Sequence, residues 1–125
     1  MTRMEFSVPL DHYELFKRTL FDYYTPEMED NEGLFMNVVF DASISFAAIR
    51  NLASEGVDFV GTWEEYGEGN SAFASFDSVF TEADADYNGD PITSVYDNGD
   101  IDCGQLSDAR AYWALYVKFR EKYMR

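Results

Sequence analysis

The first residues of the chain alternate between apolar and polar side chains, with Met4, Phe6 and Val8 on the apolar side. A period of two is typical of a half-buried strand, so we predict a strand over residues 4–8 that Pro9 closes. Apolar runs predict further strands at residues 57–66, 72–80 and 92–96, and a strand or a buried helical turn at residues 34–40. The segments between them predict an acidic loop or single helical turn at residues 26–33, a hairpin loop at 67–70 and a longer loop at 81–91.

Three segments show the 3.6-residue period of an amphipathic helix. The first begins at a capping box formed by Asp11 and Glu14 and runs to about Tyr24. The second covers about residues 44–54. The last follows a cap at Ser107 and is the clearest, because Tyr112, Phe119 and Tyr123 recur on one side of it.

This order of elements predicts an α+β fold, with a small antiparallel sheet of three to five strands. We expect about three helices to pack on one face of the sheet, the last being a C-terminal amphipathic helix. The 125 residues are 46% hydrophobic and 18% aromatic, which is enough apolar material for a packed core. We therefore expect residues 1–125 to form a single domain.

The distribution of charge changes this picture most. The chain holds 24 acidic and 9 basic residues, a net charge of −15, and the stretch between Arg50 and Arg110 contains 14 carboxylates and no Lys or Arg. Ordinary protein surfaces mix the two signs, so the middle of this chain presents a continuous negative field. Such a field argues against direct binding of nucleic acid or of an anionic membrane.

Candidate catalytic chemistry is sparse. One His (His12) and one Cys (Cys103) are too few for a zinc site of the usual kind, and neither has the neighbours of a nucleophile and its base. The chain lacks phosphate-binding glycine loops and hydrolase motifs. We therefore expect a protein that is not an enzyme and binds no cofactor. The lone cysteine, and the lack of a signal peptide or of an apolar run of about 20 residues, favour a cytoplasmic location.

One Asp-rich segment admits a calcium site as a weaker alternative. Asp84, Asp86, Asn88 and Asp90 match the first half of an EF-hand loop. The twelfth position of that loop should supply a bidentate carboxylate, but it is Val95 here. We therefore expect no metal and predict a polar turn built on the Asn-Gly pair, with a calcium- or ligand-binding acidic module as the alternative.

The number of acidic residues matches a short piece of duplex DNA. Residues 19–109 hold 20 carboxylates and one base. At one charge per ~1.7 Å of duplex axis, they correspond to about 34 Å, close to the diameter of roughly 35 Å expected for a domain of this length. In charge and size the chain resembles the phage and mobile-element inhibitors that imitate DNA: anti-restriction proteins, anti-CRISPR proteins and uracil-glycosylase inhibitors. This resemblance implies an acidic inhibitor that occupies the basic nucleic-acid-binding groove of a partner protein.

We expect the contacts with such a partner to come mainly from residues 55–108. The candidate carboxylates lie on the predicted hairpin and on two acidic loops, at residues 81–91 and 97–104: Glu64, Glu65, Glu68, Asp84, Asp86, Asp90, Asp97, Asp100 and Asp102. Trp63 and Tyr66 beside them are candidates for apolar contact. Two other interpretations stay open, a general acidic interaction protein and a protein adapted to high salt, for which a content of only three lysines is typical.

Overall fold

A six-stranded antiparallel sheet forms the centre of the fold in the computed structural model, which describes residues 2–65 and 69–124. Its strands are β1 Thr2–Pro9, β2 Met28–Asn31, β3 Phe35–Phe40, β4 Phe59–Glu65, β5 Gly69–Phe76 and β6 Val79–Ala85, in the spatial order β2-β3-β1-β4-β5-β6. The helices within these residues are α1 Leu10–Leu20, α2 Phe46–Ser54 and α3 Cys103–Tyr123. The predicted α+β class is therefore correct, and the predicted number of three to five strands is wrong.

Two features of the chain account for the additional strands. β2 lies in the segment predicted as a loop or helical turn, and all its residues are exposed because it is an edge strand that pairs only with β3. The segment predicted as one strand over residues 72–80 is instead two strands joined at Asp77 and Ser78. Both joining residues have positive φ, 52° and 65°, as in a type I′ hairpin turn, here without the glycine or asparagine that normally marks one.

Helices α1 and α2 cover one face of the sheet, which we call the α1/α2 face. The alternation that predicted β1 is confirmed, because Met4, Phe6 and Val8 all point to this face and are fully buried. Phenylalanine rings dominate the core there. The ring centroid of Phe6 lies 5.2–5.8 Å from those of Phe16, Phe40, Phe59 and Phe73.

The ends of α1 differ from those that the capping pattern predicts. α1 starts directly after Pro9, whose missing N–H suits a helix start, and it has no side-chain cap, so the predicted capping box is wrong. It ends at Leu20 rather than near Tyr24. α2 is capped by Ser45, whose hydroxyl accepts the Ala48 N–H at 3.2 Å.

None of the helices in the described ranges is both long and apolar enough to cross a bilayer.

Helix α3 packs on the opposite face of the sheet, which we call the α3 face, so the prediction that all helices share one face is wrong. The predicted aromatic side of α3 is confirmed, since Tyr112, Phe119 and Tyr123 are buried on it. The helix begins earlier than predicted, because the Asp102 carboxylate rather than Ser107 caps it. The strands meet this helix with small side chains, namely Ala72, Ala74, Ala83 and Ala85.

Helix α3 covers only part of its face. It packs chiefly on β5 and β6 and reaches β4 to a lesser extent. Its end is held by Tyr123, whose hydroxyl donates a hydrogen bond of 2.8 Å to the buried Asp58 carboxylate. β1 and β3 therefore have no covering helix on this face, and their side chains there include the polar residues Glu5, Ser7 and Asn37.

Candidate functional site

An acidic groove runs along the part of the α3 face that the helix leaves open. Three connected hollows form it: a cleft of about 230 Å³ beside α3, which we call the α3 cleft, a middle hollow of about 180 Å³ and an outer hollow of about 610 Å³ at the β4–β5 hairpin. Thr62 lines both of the first two hollows, and Asn70 lines both of the last two. Among the described lining residues, Arg3 is the one base. The carboxylates along the groove are those of Glu5, Glu64, Glu65, Asp86 and Asp90.

Glu5 reaches the groove because of the alternation along β1. Its neighbours Met4 and Phe6 point to the α1/α2 face, so Glu5 points to the α3 face. Its carboxylate accepts a hydrogen bond of 3.1 Å from the side-chain amide of Asn37 on β3, and Thr62 lies opposite it on β4. No described Lys, Arg or His lies within 4.0 Å of it. The floor of the groove therefore carries a partly buried carboxylate without a counter-ion.

A tight turn over residues 86–90 forms one side of the groove. The Asp86 N–H donates to the Asp90 carbonyl at 2.9 Å, and the Gly89 N–H donates to the Asp86 carbonyl at 3.0 Å. Gly89 has a φ of +79°, and a Cβ on it would lie 2.6 Å from Cγ2 of Thr62. Both observations require glycine at this position. The turn follows β6, which continues to Ala85 through part of the segment predicted as a loop.

The candidate calcium ligands do not converge on a common point. Oδ1 of Asp86 accepts the backbone N–H groups of Asn88 and Asp90, at 2.9 and 3.0 Å. Asp84 lies on β6 and accepts a hydrogen bond of 3.0 Å from the side-chain amide of Gln105 instead. The described ranges contain no group of three or more His, Cys, Asp or Glu residues that could hold a metal. Residues 86–90 instead form a polar turn on the Asn88-Gly89 pair.

Aromatic residues of α3 form the wall of the α3 cleft. The Trp113 ring stands nearly edge-on to those of Tyr112 and Tyr116, with centroids 5.2 and 5.4 Å away, and it is 40% exposed. Tyr112 is only 5% exposed, and its hydroxyl has no hydrogen-bond partner in the described part of the chain. Burial raises the pKa of Tyr112, so this hydroxyl stays protonated and is available to a ligand.

A second turn, over residues 96–100, has the same backbone geometry but lies outside the groove. The Tyr96 N–H donates to the Asp100 carbonyl and the Gly99 N–H to the Tyr96 carbonyl, both at 2.8 Å. Neither Asp97 nor Asp100 lines the groove, although both are exposed. The strand predicted at residues 92–96 is wrong, because Val95 forms only an isolated bridge, with Ile101. The same type of turn therefore occurs twice, once beside the groove at residues 86–90 and once outside it at residues 96–100.

Asp84 and Asp102 are engaged at the start of α3. Gln105 links them, because its backbone N–H donates to Asp102 and its side-chain amide to Asp84, both at 3.0 Å. The Gln105 N–H favours the charged carboxylate and thereby lowers the pKa of Asp102. These two predicted contact residues therefore also hold the fold together.

The structure divides the predicted contact residues into several groups. Trp63 is not the exposed aromatic that the sequence suggests, because it is half-buried on the α1/α2 face with its ring centroid 6.3 Å from that of Phe46. Tyr66 and Glu68 lie outside the described residues. The predicted residues that line the groove are Glu64, Glu65, Asp86 and Asp90, together with Trp63 at the middle hollow.

Sequence reasoning missed several residues of the groove, among them Glu5 and Trp113. Glu5 lies outside the acid-rich middle of the chain, so its charge draws no attention there. Trp113 follows Tyr112 directly and therefore lies at the border of the buried side of α3. A large aromatic residue at such a border is the one local signal that could have identified it.

No family model, curated protein or solved structure matches the chain. Function must therefore be inferred from the groove itself, which combines carboxylates, an aromatic wall and a shortage of basic residues. These three properties suit a ligand that carries positive charge.

Proposed function

We propose that the chain is an acidic binding protein whose groove side enters the basic nucleic-acid-binding site of a partner protein and blocks it. In this proposal the carboxylates imitate the phosphates of DNA or RNA, as in anti-restriction and anti-CRISPR inhibitors. The site of action is the cytoplasm, which is that of the host cell if a phage encodes the chain. The observation that carries the proposal concerns the predicted contact carboxylates that the structure describes. None of them forms an ion pair within 4.0 Å, and the one described base that lines the groove is Arg3, opposite Glu64.

Intramolecular ion pairs are few and lie away from those carboxylates. Within residues 2–65 and 69–124 they join Lys17 to Glu14 and Arg50 to Glu82. Exposed like charges destabilise a compact chain through mutual repulsion. A basic partner would relieve this repulsion by supplying the missing cations, which supports an intermolecular role for the groove.

The groove carboxylates are close enough for their fields to add. Glu5 and Glu64 lie on adjacent strands two residues out of register, so their Cα atoms are about 8 Å apart. Asp86 follows β6, two strands from Glu64, and its carbonyl accepts a hydrogen bond from Asn70 between them. This separation is roughly 10 Å. Both values fall within about one Debye length, ~10 Å, so a partner meets a summed field, as it does along the phosphates of a nucleic acid.

Competition with nucleic acid tests the proposal. The full chain is immobilised and exposed to a bacterial lysate, and the proteins released by a salt gradient are identified by mass spectrometry. Each captured protein is then purified and bound to labelled duplex DNA or RNA, and the chain is added. We expect the labelled nucleic acid to be released as the chain binds. Capture only of proteins that bind no nucleic acid, or a partner that holds both ligands at once, would overturn the proposal.

A matched pair of variants separates the groove from total charge. The groove variant carries Glu64→Gln, Glu65→Gln, Asp86→Asn and Asp90→Asn. The control variant carries substitutions at exposed positions outside the groove, Asp22→Asn, Glu27→Gln, Glu32→Gln and Asp41→Asn.

Both variants lose four negative charges. Since each exposed pair contributes ~0.2–1 kcal/mol, we expect the groove variant to bind the partner at least about tenfold more weakly at low salt. Its affinity should also depend less on salt concentration. The control variant should lose less than about threefold. Equal losses in the two variants would contradict the assignment of the contact to the groove.

A further inference from the structure

The α3 cleft, at the inner end of the groove, has the size of a single side chain. Its volume of about 230 Å³ is below the range of roughly 300–1,000 Å³ that is usual for small-molecule sites. It is also smaller than the outer hollow of about 610 Å³. A cleft of this size at the end of an acidic groove suits one side chain that projects from a partner.

The lining of the cleft favours a cation. Glu5 and Asp90 contribute carboxylates, and the described lining residues include no Lys or Arg. Trp113 supplies an exposed aromatic ring, and Ser7 supplies a hydroxyl for which no hydrogen bond exists among the described residues. Carboxylates beside aromatic rings hold a cation by charge and by cation–π attraction together.

The hydroxyl of Tyr112 is a further hydrogen-bonding group of the cleft. The side chain lines the cleft and is 95% buried, yet its hydroxyl has no hydrogen-bond partner in the described part of the chain. Since this hydroxyl is not enclosed by the protein, a ligand in the cleft that has N–H donors can reach it, and its oxygen can accept a hydrogen bond.

We propose that the α3 cleft seats one arginine side chain of the basic partner. This inference rests on the proposed function only in assigning the arginine to that partner. Arginine is preferred to lysine because its planar guanidinium stacks on aromatic rings and has five N–H donors for the several acceptors of the cleft. The described residues already contain two such contacts, in which the guanidinium groups of Arg50 and Arg120 lie 5.8 and 5.9 Å from the centres of the Phe80 and Tyr116 rings. No described cation lies over Trp113.

Short peptides test this inference without the partner. Three pentapeptides with blocked termini each have two glycines on either side of a central residue, which is arginine, lysine or citrulline. Citrulline has the shape of arginine without its charge. Each is titrated into the isotopically labelled full chain at low salt, and the indole N–H signal of Trp113 is followed by NMR. We expect saturable shifts with the arginine peptide and a Kd in the millimolar range. Lysine should bind at least about threefold more weakly, and citrulline at least about tenfold more weakly.

Variants locate the binding in the cleft. Trp113→Ala and Tyr112→Phe should each weaken the arginine peptide about two- to fivefold, through loss of the ring and of the hydroxyl respectively. Asp90→Asn should weaken it by a similar factor, whereas Asp100→Asn in the equivalent turn should leave it unchanged. Because Tyr112→Phe and Asp90→Asn preserve side-chain shape, they keep the test valid if Trp113→Ala disturbs α3.

Equal affinity for the arginine and citrulline peptides, equal affinity for arginine and lysine, or shifts that bypass Trp113 would each overturn the inference. The peptide titration can fail independently of the competition experiment that tests the proposed function. If the arginine peptide does not bind while the chain still displaces nucleic acid from a captured partner, the inference alone fails. If the peptide binds in the cleft but no captured partner loses its nucleic acid, the proposed function alone fails.

Discussion

The two faces of the sheet bury apolar surface by different means. On the α1/α2 face the strands supply large rings, and Phe6, Phe40 and Phe73 are fully buried among them. On the α3 face the strands supply alanines, and the helix supplies the large residues, such as Phe119 and Tyr112. The first arrangement interlocks rings from several elements, whereas the second places one helix on a smooth surface.

This difference explains why the groove lies on the α3 face. Two helices cover the α1/α2 face, and the strands present apolar side chains to them. A single helix covers part of the other face, and the open strands β1 and β3 carry Glu5, Ser7 and Asn37 there. The face with less apolar material therefore provides the polar surface that a partner can reach.

Removing a ring from the centre of the α1/α2 face is expected to have the largest effect. Phe6→Ala empties the space between four other rings, so we expect the free energy of unfolding to fall by about 3–5 kcal/mol. Phe119→Ala should cost about 3 kcal/mol, because α3 can move towards the alanines and fill part of the cavity. Urea denaturation followed by circular dichroism measures both losses. A larger loss for Phe119→Ala would reverse the comparison of the two faces.

Replacing the glycine at the same position of the two turns, residues 86–90 and 96–100, is expected to have an intermediate effect on stability. Gly89 and Gly99 have φ values of +79° and +89°, so alanine should cost about 1–2 kcal/mol at either. At Gly89 the new Cβ also meets Thr62, whereas nothing lies within 4 Å at Gly99. We therefore expect Gly89→Ala to destabilise the fold by about 1 kcal/mol more than Gly99→Ala in thermal unfolding. Equal values would mean that the turn at the groove packs no more tightly than the turn outside it.

The smallest expected effect is the pH dependence of a helix cap. Ser45 caps α2 with a hydroxyl, which does not titrate, whereas Asp102 caps α3 with a carboxylate, which does. The Gln105 N–H lowers the pKa of Asp102, so the cap stabilises the fold above the unfolded pKa, and this stabilisation is lost as pH falls through the lowered pKa. Between about pH 5 and pH 2, hydrogen exchange of the Gln105 amide, corrected for its intrinsic rate, should accelerate relative to that of Ala48.

A cap that does not titrate provides the control for this effect. Asp102→Asn keeps an oxygen that can accept the Gln105 N–H, and it carries no charge at any pH in this range. The Gln105 amide of this variant should therefore show no acceleration beyond that of Ala48. If the variant and the native chain behave alike, the pH dependence of the α3 face has another source.

The pattern of apolar residues predicted correctly those elements that bury one side against the core and expose the other. The alternation of β1 and the aromatic side of α3 are both confirmed, because burial of that side determines both pattern and structure. The pattern failed for β2, since an exposed edge strand is held by backbone hydrogen bonds to β3 and needs no apolar residues. It also failed at Asp77 and Ser78, where the left-handed turn lacks the glycine that usually follows Asp.

Only part of the groove could be predicted, for a similar reason. Local charge identified Asp86 and Asp90, which are close in the chain. Glu5 and Trp113 join them only through the register of β1 with β4 and the path of α3, which no local pattern records. Charge alone also could not distinguish Asp102, which caps a helix, from carboxylates that are free to meet a partner.

The edge strand β2 has a consequence for self-association. An exposed edge with unpaired backbone groups is a template on which a second copy of the chain can add a strand. Glu29 and Asp30 lie on this edge, and a second molecule would bring further carboxylates against them. Acid or high salt weakens that repulsion, so dimers and aggregates should form first under those conditions. The same weakening would reduce attraction to a basic partner, so low salt and neutral pH should keep the chain both dispersed and ready to bind.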